Sequence, residues 1–210
     1  MAKLILVRHA KSEWNSTGQW TGHADPSLSS DGRDEAHRTA LSLAHLDIHK
    51  AYTSPLKRCT ETLDILIERL GLSHIPYISH DALKERDYGV FTGKNKWQVK
   101  EEVGEEKFHR IRRGWDEPIP EGETLKDVHD RVVPYYKEMI LSDVLAGFNV
   151  CVVAHGNSLR ALVKHLEDIS EEAIADVEIG VGEAHVYTLD EKGSVVGKEI
   201  RAEHAQKGKI

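Results

Sequence analysis

Two histidines in this sequence each follow a short apolar run. Residues 4–7 are Leu, Ile, Leu and Val, and they lead into Arg8 and His9. Residues 149–154 form a second, largely apolar run that leads directly into His155. Branched apolar runs of this length, bounded by polar residues, are typical of buried strands. Because ligands of open α/β sheets bind outside the carboxyl ends of strands, we expect the two imidazoles to meet at one sheet edge.

The side chains at these two strand ends predict phosphoryl chemistry. A histidine ring nitrogen can act as a nucleophile, and an arginine can neutralise a phosphate through a bidentate contact. Taken alone, Arg8 and His9 fit a strand that ends in solvated charge equally well. The second histidine, which ends another apolar run, favours a functional site over that interpretation.

Two strand-to-helix turns supply further candidates for anion binding. Pro55 follows a short strand, and Arg58 falls in the first turn of the helix that this proline starts. Backbone N–H groups and positive charge both point at an anion in such a turn, although a solvated arginine is the alternative. The second turn is His155-Gly156-Asn157, in which we expect Asn157 to cap the next helix. Both turns are suited to phosphate.

An irregular segment over residues 83–93 combines charge with an aromatic side chain. It contains Glu85, Arg86 and Tyr88, and irregular segments of this composition often carry function. A carboxyl group held near a substrate hydroxyl can act as a general acid or base. Glu85 is therefore a candidate proton carrier.

Cationic and small residues elsewhere extend this set. Lys96, Arg112 and Arg113 lie in a polar stretch as candidate anion ligands, for which a solvated charged face is the default interpretation. Thr21 and Gly22 lie within a long loop, where small residues let the backbone approach a ligand closely. An ordinary surface loop explains that loop's spacing equally well.

Length and composition indicate one globular domain in a reducing compartment. The chain has 210 residues, of which 40% are hydrophobic and 30% charged, enough for a full core. Its net charge of -7 argues against nucleic acid or an anionic membrane as a partner. We expect no signal peptide and no transmembrane span. The two cysteines show neither disulfide nor zinc spacing, so we expect a cytoplasmic protein without a metal site.

Alternating strand and helix patterns predict an α/β fold. We expect three layers, with helices on both faces of a mostly parallel sheet. Helices should start at Ser29, Pro55, Thr124 and Asn157, where capping residues or a proline precede apolar residues at helical spacing. Residues 184–189 and 194–200 predict an edge hairpin. We assign residues 1–201 to a single domain and residues 202–210 to a polar C-terminal tail.

Together these motifs resemble the cofactor-dependent phosphoglycerate mutases of the histidine phosphatase superfamily. The resemblance runs from about Leu4 to about Leu189, nearly the whole chain. The Arg-His pair marks only the superfamily, whereas the Glu85 segment, the paired arginines and the run that begins at His155 are specific to the mutase branch. The matching stretches are Val7-Arg8-His9, Ser12-Glu13-Trp14-Asn15, Thr21-Gly22, Tyr52-Thr53-Ser54, Leu56-Lys57-Arg58, Glu85-Arg86 with Tyr88-Gly89, Arg112-Arg113-Gly114, and residues 154–160.

The resemblance implies a phosphoglycerate mutase-like fold and a role for each matching residue. His9 is implied to be the nucleophile that becomes phosphohistidine, with Arg8, Arg58 and His155 around the transferring phosphoryl group. Glu85 is implied to donate and accept the proton of the substrate hydroxyl. The residues implied to bind the rest of the glycerate are Asn15, Thr21, Gly22, Arg86, Tyr88, Lys96, Arg112, Arg113, Gly156 and Asn157.

The implied reaction is the interconversion of 3-phosphoglycerate and 2-phosphoglycerate, in glycolysis and gluconeogenesis. The implied cofactor is 2,3-bisphosphoglycerate, which primes the nucleophilic histidine, and no metal is implied. The expected partner is a small phosphorylated carboxylate, bound by a monomer or a homodimer. Two alternatives remain: a phosphatase that hydrolyses the same phosphohistidine, and a non-catalytic protein that only binds phosphate.

Several positions depart from the family pattern. Ala10 and Lys11 stand where the family has Gly and Glu, and Ala10 would be incompatible with a positive φ beside the nucleophile. These two residues are the support for the non-catalytic alternative. Asp87 replaces the usual His or Tyr. Residues 117–123 lack an insertion that many members carry near the active-site entrance, and this short linker is the support for the phosphatase alternative.

Overall fold

The computed structural model describes residues 1–202; of the predicted tail, residues 203–210 lie outside the described range. Its strands are β1 (Ala2–Arg8), β2 (Lys50–Thr53), β3 (Tyr77–Ser79), β4 (Val150–Ala154), β5 (Ala184–Leu189) and β6 (Val195–Arg201). They form one sheet in the order β3-β2-β4-β1-β5-β6. The pairs β1–β4, β2–β4 and β2–β3 are parallel, whereas β1–β5 and β5–β6 are antiparallel. The sheet is mixed and mostly parallel, as predicted, and β5 and β6 form the predicted hairpin.

Helices occupy most of the segments between these strands. The α-helices are α1 (Glu13–Ser16), α2 (Ser30–Leu43), α3 (Lys57–Leu70), α4 (Lys96–Val103), α5 (Glu105–Arg113), α6 (Leu125–Tyr135), α7 (Leu141–Leu145) and α8 (Gly156–Leu166), with a π-helical segment (Tyr136–Ile140) between α6 and α7. Short 3₁₀ turns span Asp81–Leu83, Gly89–Phe91 and Ala173–Asp176. Within the described chain, no helix combines the length and apolar character that crossing a membrane requires.

Alternation along β1 divides the core into two layers. Leu4 and Leu6 pack with α6, α7 and α8 on one face of the sheet, and Ile5 and Val7 pack with α2 and α3 on the other. All four side chains are fully buried. A strand covered on both faces has a continuous apolar run instead of an alternating one, which explains the pattern in the sequence. The three-layer prediction is confirmed.

A smaller aromatic cluster lies apart from these two layers. Trp20, from the loop after α1, packs against Tyr88, with ring centroids 4.4 Å apart. Phe108 of α5 meets the same indole edge-on at 5.8 Å. The cluster packs α4 and α5 against the irregular segment that carries Glu85. These helices therefore bring the cationic stretch of the sequence to the strand ends.

Candidate active site

The two predicted histidines meet at the carboxyl ends of β1 and β4. Parallel pairing aligns Arg8 with Ala154, so the residue after each strand is a histidine. The backbone N–H of His9 donates to the Ala154 carbonyl at 2.9 Å. The rings of His9 and His155 approach edge-on, with centroids 5.0 Å apart, and both residues are buried. The sheet register thus creates the pair.

The His9 ring is held in one tautomer. Its Nδ1 lies 2.7 Å from the Ala10 carbonyl oxygen; because a carbonyl only accepts, Nδ1 carries the hydrogen and Nε2 keeps its lone pair. Burial, followed by the charges of Arg58 and Arg8, lowers the pKa of His9 well below its usual value. A neutral imidazole with a free Nε2 is the form that attacks phosphorus.

Ala10 is compatible with this geometry. It is not among the described non-glycine residues with a positive φ, so glycine is not required there. Its N–H donates to the Thr62 hydroxyl at 3.1 Å. The methyl group is fully buried in a small apolar cluster with Leu28, Ala36 and Ile65. The backbone at this position therefore accepts alanine in place of the glycine that the family pattern has there.

His155 directly follows β4 and precedes α8. Helix α8 begins at Gly156, and His155 occupies the N-cap position; the prediction that Asn157 caps this helix was wrong. The Ser158 hydroxyl accepts a hydrogen bond from the His155 N–H at 3.0 Å, and the cap therefore lies two residues before the predicted position. Burial, followed by the charge of Arg58, lowers the pKa of His155 well below its usual value.

Two residues hold the His155 ring from behind. Its Nε2 is 2.8 Å from the Ser54 hydroxyl and 3.3 Å from the Cys59 sulfur. Cys59 is fully buried, and burial raises the pKa of its thiol. A protonated, buried thiol packs against the ring without reacting.

Two arginines flank the histidines, and each is tethered by backbone carbonyls. Arg58, in the first turn of α3, donates to the carbonyls of Gly22 at 2.9 Å and Ala24 at 2.8 Å. Arg8 donates through Nη1 to the Ile179 carbonyl at 2.6 Å. Each guanidinium has five donors, so these tethers orient the group while other N–H groups stay available for an anion.

Glu85 lies across the strand ends, with its carboxylate at the start of α8. Its Oε1 accepts from the backbone N–H groups of Arg86 at 2.8 Å and Asn157 at 3.1 Å. A methyl group on Gly156 would lie 3.7 Å from Oε2 and 3.5 Å from the Arg8 guanidinium carbon. The carboxylate is thus held through one oxygen beside an arginine, as a positioned general acid or base requires.

The cleft has two adjoining parts, with volumes of about 80 and 50 Å³. Both parts are lined by Arg8, Trp20, Glu85, Tyr88 and Lys96. The larger part adds Arg112, Arg113, Gly156, Asn157, Arg160, Glu178 and Ile179, and the smaller part adds His9, Asn15, Gln19, Thr21 and Arg58. The lining is strongly cationic although the whole chain is acidic, so the cleft is suited to an anion with several negative charges.

Mutual repulsion and burial act on the cations of this cleft. Burial, followed by the charge of Arg112, lowers the pKa of Lys96 to about 8. Burial, followed by the charge of Arg113, lowers the pKa of Arg112 to about 10. Such shifts mark groups that a bound anion would stabilise in their charged form.

Three of the predicted site residues lie behind the cleft. His155 backs His9. Arg86 is fully buried and donates to the carbonyls of Ile111 at 2.8 Å and Arg112 at 3.2 Å, so it holds the end of α5. Gly22 contributes its carbonyl to Arg58, and a methyl group there would lie 3.1 Å from the Tyr88 nitrogen. The other predicted residues line the cleft.

Sequence reasoning missed several lining residues. Arg160 donates to the Asn157 side-chain oxygen at 2.9 Å and to the Arg113 carbonyl at 2.7 Å, and its spacing of three residues from Asn157 on α8 was the available signal. Glu178 pairs with Arg113 at 2.8 Å, which no local pattern indicates. Trp20 adjoins Thr21 in sequence, but only its aromatic partners place it in the wall. Among the described residues, no cluster of His, Cys, Asp or Glu is able to hold a metal ion.

Comparison with known proteins identifies the family. The family model of the Histidine phosphatase superfamily (branch 1) matches residues 4–199. A 2,3-bisphosphoglycerate-dependent phosphoglycerate mutase of Parvibaculum lavamentivorans is 46% identical over 202 residues, which cover 95% of this chain and 96% of the relative. A protein of the same name from Lachnoclostridium phytofermentans is 40% identical and aligns with 94% of this chain and 90% of its own length.

A solved structure confirms the fold. A mycobacterial glucosyl-3-phosphoglycerate phosphatase superposes with a TM-score of 0.82 at 22% identity, covering 95% of this chain and 97% of that one. Identity at this level supports the architecture alone, whereas the sequence relatives place the chain more finely. The chain belongs to branch 1 of the histidine phosphatase superfamily and, within it, to the family of 2,3-bisphosphoglycerate-dependent phosphoglycerate mutases.

Proposed function

We propose that this protein interconverts 3-phosphoglycerate and 2-phosphoglycerate through a phosphohistidine on His9. The observation that carries the proposal is one cleft that contains a nucleophilic imidazole, a positioned carboxyl group and a surplus of cations. The substrate class is a small phosphorylated carboxylate. Bound 2,3-bisphosphoglycerate would supply the phosphoryl group that primes the histidine.

His9 and Glu85 share the chemical steps. The Nε2 lone pair of His9 forms the bond to phosphorus as the phosphorus–oxygen ester bond breaks, and Glu85 delivers a proton to the departing oxygen. In the return step Glu85 takes the proton of the attacking hydroxyl, and the nitrogen–phosphorus bond breaks. The carboxyl group therefore alternates between acid and base, which suits its position beside the nucleophile.

The tethered arginines stabilise the charge that spreads over the phosphoryl oxygens. Arg8 and Arg58 are already oriented by backbone carbonyls, so little reorganisation is needed when the phosphoryl group moves. Lys96, Arg112 and Arg113 would bind the carboxylate and the second phosphate. These roles would let the glycerate turn within the cleft while its anionic groups stay paired.

A coupled mutase assay tests the proposal. Isomer formation should depend strongly on added 2,3-bisphosphoglycerate, and His9→Ala should abolish both turnover and the acid-labile phosphoenzyme. Phosphate release with little isomer would instead assign the chain to the phosphatases. Absence of a phosphoenzyme in the unmodified protein would support the non-catalytic alternative.

We also propose a cytoplasmic setting in glycolysis and gluconeogenesis. Cys59 and Cys151 are both buried and unpaired, which suits a reducing compartment. The proposed assembly is a monomer or a homodimer, which sedimentation would distinguish.

A further inference from the structure

The main-chain carbonyl of Glu85 accepts two side-chain hydrogen bonds. His23 approaches it through Nε2 at 2.9 Å, and Arg131 donates through Nη2 at 3.0 Å. Because a carbonyl only accepts, the His23 Nε2 carries a hydrogen in this contact. The proposed acid–base residue is thus held at its backbone as well as at its carboxylate.

The second nitrogen of His23 faces an acidic residue. Its Nδ1 lies 3.5 Å from a carboxylate oxygen of Asp87. Asp87 accepts from the Gly89 N–H at 2.9 Å through its other oxygen, so the carboxylate is itself oriented. The Asp87 carboxylate lies beside Nδ1 and so orients the ring with Nε2 toward the Glu85 carbonyl.

Glu123 contacts both donors to the Glu85 carbonyl, Arg131 and His23. It forms a bidentate pair with Arg131, at 2.8 and 2.9 Å, and accepts from the Asp87 N–H at 2.9 Å. The same carboxylate lies 4.0 Å from the His23 Nε2. Burial alone would raise the pKa of Glu123, but the Arg131 hydrogen bonds and charge bring it below its usual value. The Glu123 carboxylate is therefore ionised at neutral pH and holds Arg131 and the Asp87 backbone in place.

His23 lies at the surface, so its removal should not disturb the core. Its side chain is 40% exposed, so water can replace it at the Glu85 carbonyl without leaving a buried unsatisfied group. Arg131 would remain as the second donor. Loss of His23 should therefore cost little stability while it loosens the backbone of Glu85.

We propose that His23, oriented by Asp87, is a positioning residue that fixes the backbone of Glu85 for proton transfer. This inference rests on the proposed function, because it assigns the acid–base role to Glu85. Under this inference Asp87, which departs from the family pattern, helps to position the acid–base residue.

Steady-state kinetics of His23→Phe and His23→Gln test the inference. Phenylalanine removes the donor, and we expect kcat to fall about five- to tenfold, the value of one hydrogen bond, with KM within twofold. Glutamine places an amide N–H near the former Nε2 and should restore kcat to within about twofold of the unmodified protein. Asp87→Asn should lower kcat by about two- to threefold.

His45→Phe is the matched control, because His45 is exposed on the described surface and remote in sequence from the cleft residues; its kinetics should not change. An unchanged kcat in His23→Phe, a glutamine variant no better than phenylalanine, or a change confined to KM would overturn the inference. If the unmodified protein releases phosphate without isomerisation, the proposed function fails, yet the same comparison applies to the rate of phosphate release.

Discussion

The two ends of the cleft are built in different ways. At the His9 end, the groups follow strands β1 and β4 or begin helix α3, and backbone hydrogen bonds fix their orientation. At the far end, Arg112 and Arg113 project from α5, and Lys96 of α4 reaches both parts of the cleft. These two helices are held by the aromatic cluster and by Arg86. The first construction suits a reacting centre that must not move, and the second suits recognition of an anion.

This difference predicts that changes at the two ends affect different kinetic constants. Residues at the His9 end should act on kcat, because their contacts strengthen as the phosphoryl group moves. Residues at the far end bind parts of the substrate that do not react, so they should act on KM. Three predictions test this division, and a fourth tests the buried methyl group beside His9.

The largest expected effect is that of Glu85→Gln. The amide keeps the shape and the hydrogen bonds from the α8 N-terminus but cannot carry the proton, so kcat should fall by about 10²- to 10⁴-fold. KM should change little. Coupled mutase kinetics measure both constants, and a rise in KM with kcat retained would contradict the division between the two ends.

Arg112→Gln should have the next largest effect. Loss of a charge-assisted hydrogen bond is worth about 1.5–3 kcal/mol, so KM should rise by about 10- to 100-fold with kcat within a few-fold. The same assay, run over a wide substrate range, measures this. A large fall in kcat at unchanged KM would show that the far end takes part in the chemical step.

The pH dependence of KM should reveal Lys96. Its pKa is lowered to about 8, so the free enzyme loses this charge as the pH rises from 7 to 9. KM should then rise by up to about tenfold, because the substrate phosphate is already ionised above pH 7. Lys96→Met should show a high KM without this rise. A pH-independent KM in the unmodified protein would remove Lys96 from the anion site.

The smallest effect should come from Ala10→Gly. Removal of a buried methyl group and the added backbone entropy of glycine should lower the free energy of unfolding by about 1–2 kcal/mol. We expect kcat to stay within twofold, because the φ at this position suits any residue. Urea denaturation measures the first quantity. A clear gain in kcat would mean that the methyl group restrains phosphorylation of His9.

Much of the fold follows from local patterns. The apolar runs before His9 and His155 predicted two central strands, and capping residues such as Ser29 and Thr124 predicted where α2 and α6 begin. These signals are local, because burial on both faces and free N–H groups at helix ends leave marks over a few residues. The starts of α3 and α8 were exceptions. Helix α3 begins at Lys57 with Leu56 as its N-cap, so Pro55 precedes the helix and does not lie in its first turn, and His155 occupies the N-cap of α8.

The sequence by itself determined which residue types stand at the strand ends, and hence the chemistry open to them. Only the tertiary structure decided which of those residues face the cleft. Arg86 belongs to a matching motif but points at carbonyls of α5, whereas Trp20 and Glu178 enter the wall through contacts between segments far apart in the chain. The contact of His23 with Glu85 spans 62 residues. Such pairings depend on how layers pack, and no local periodicity records them.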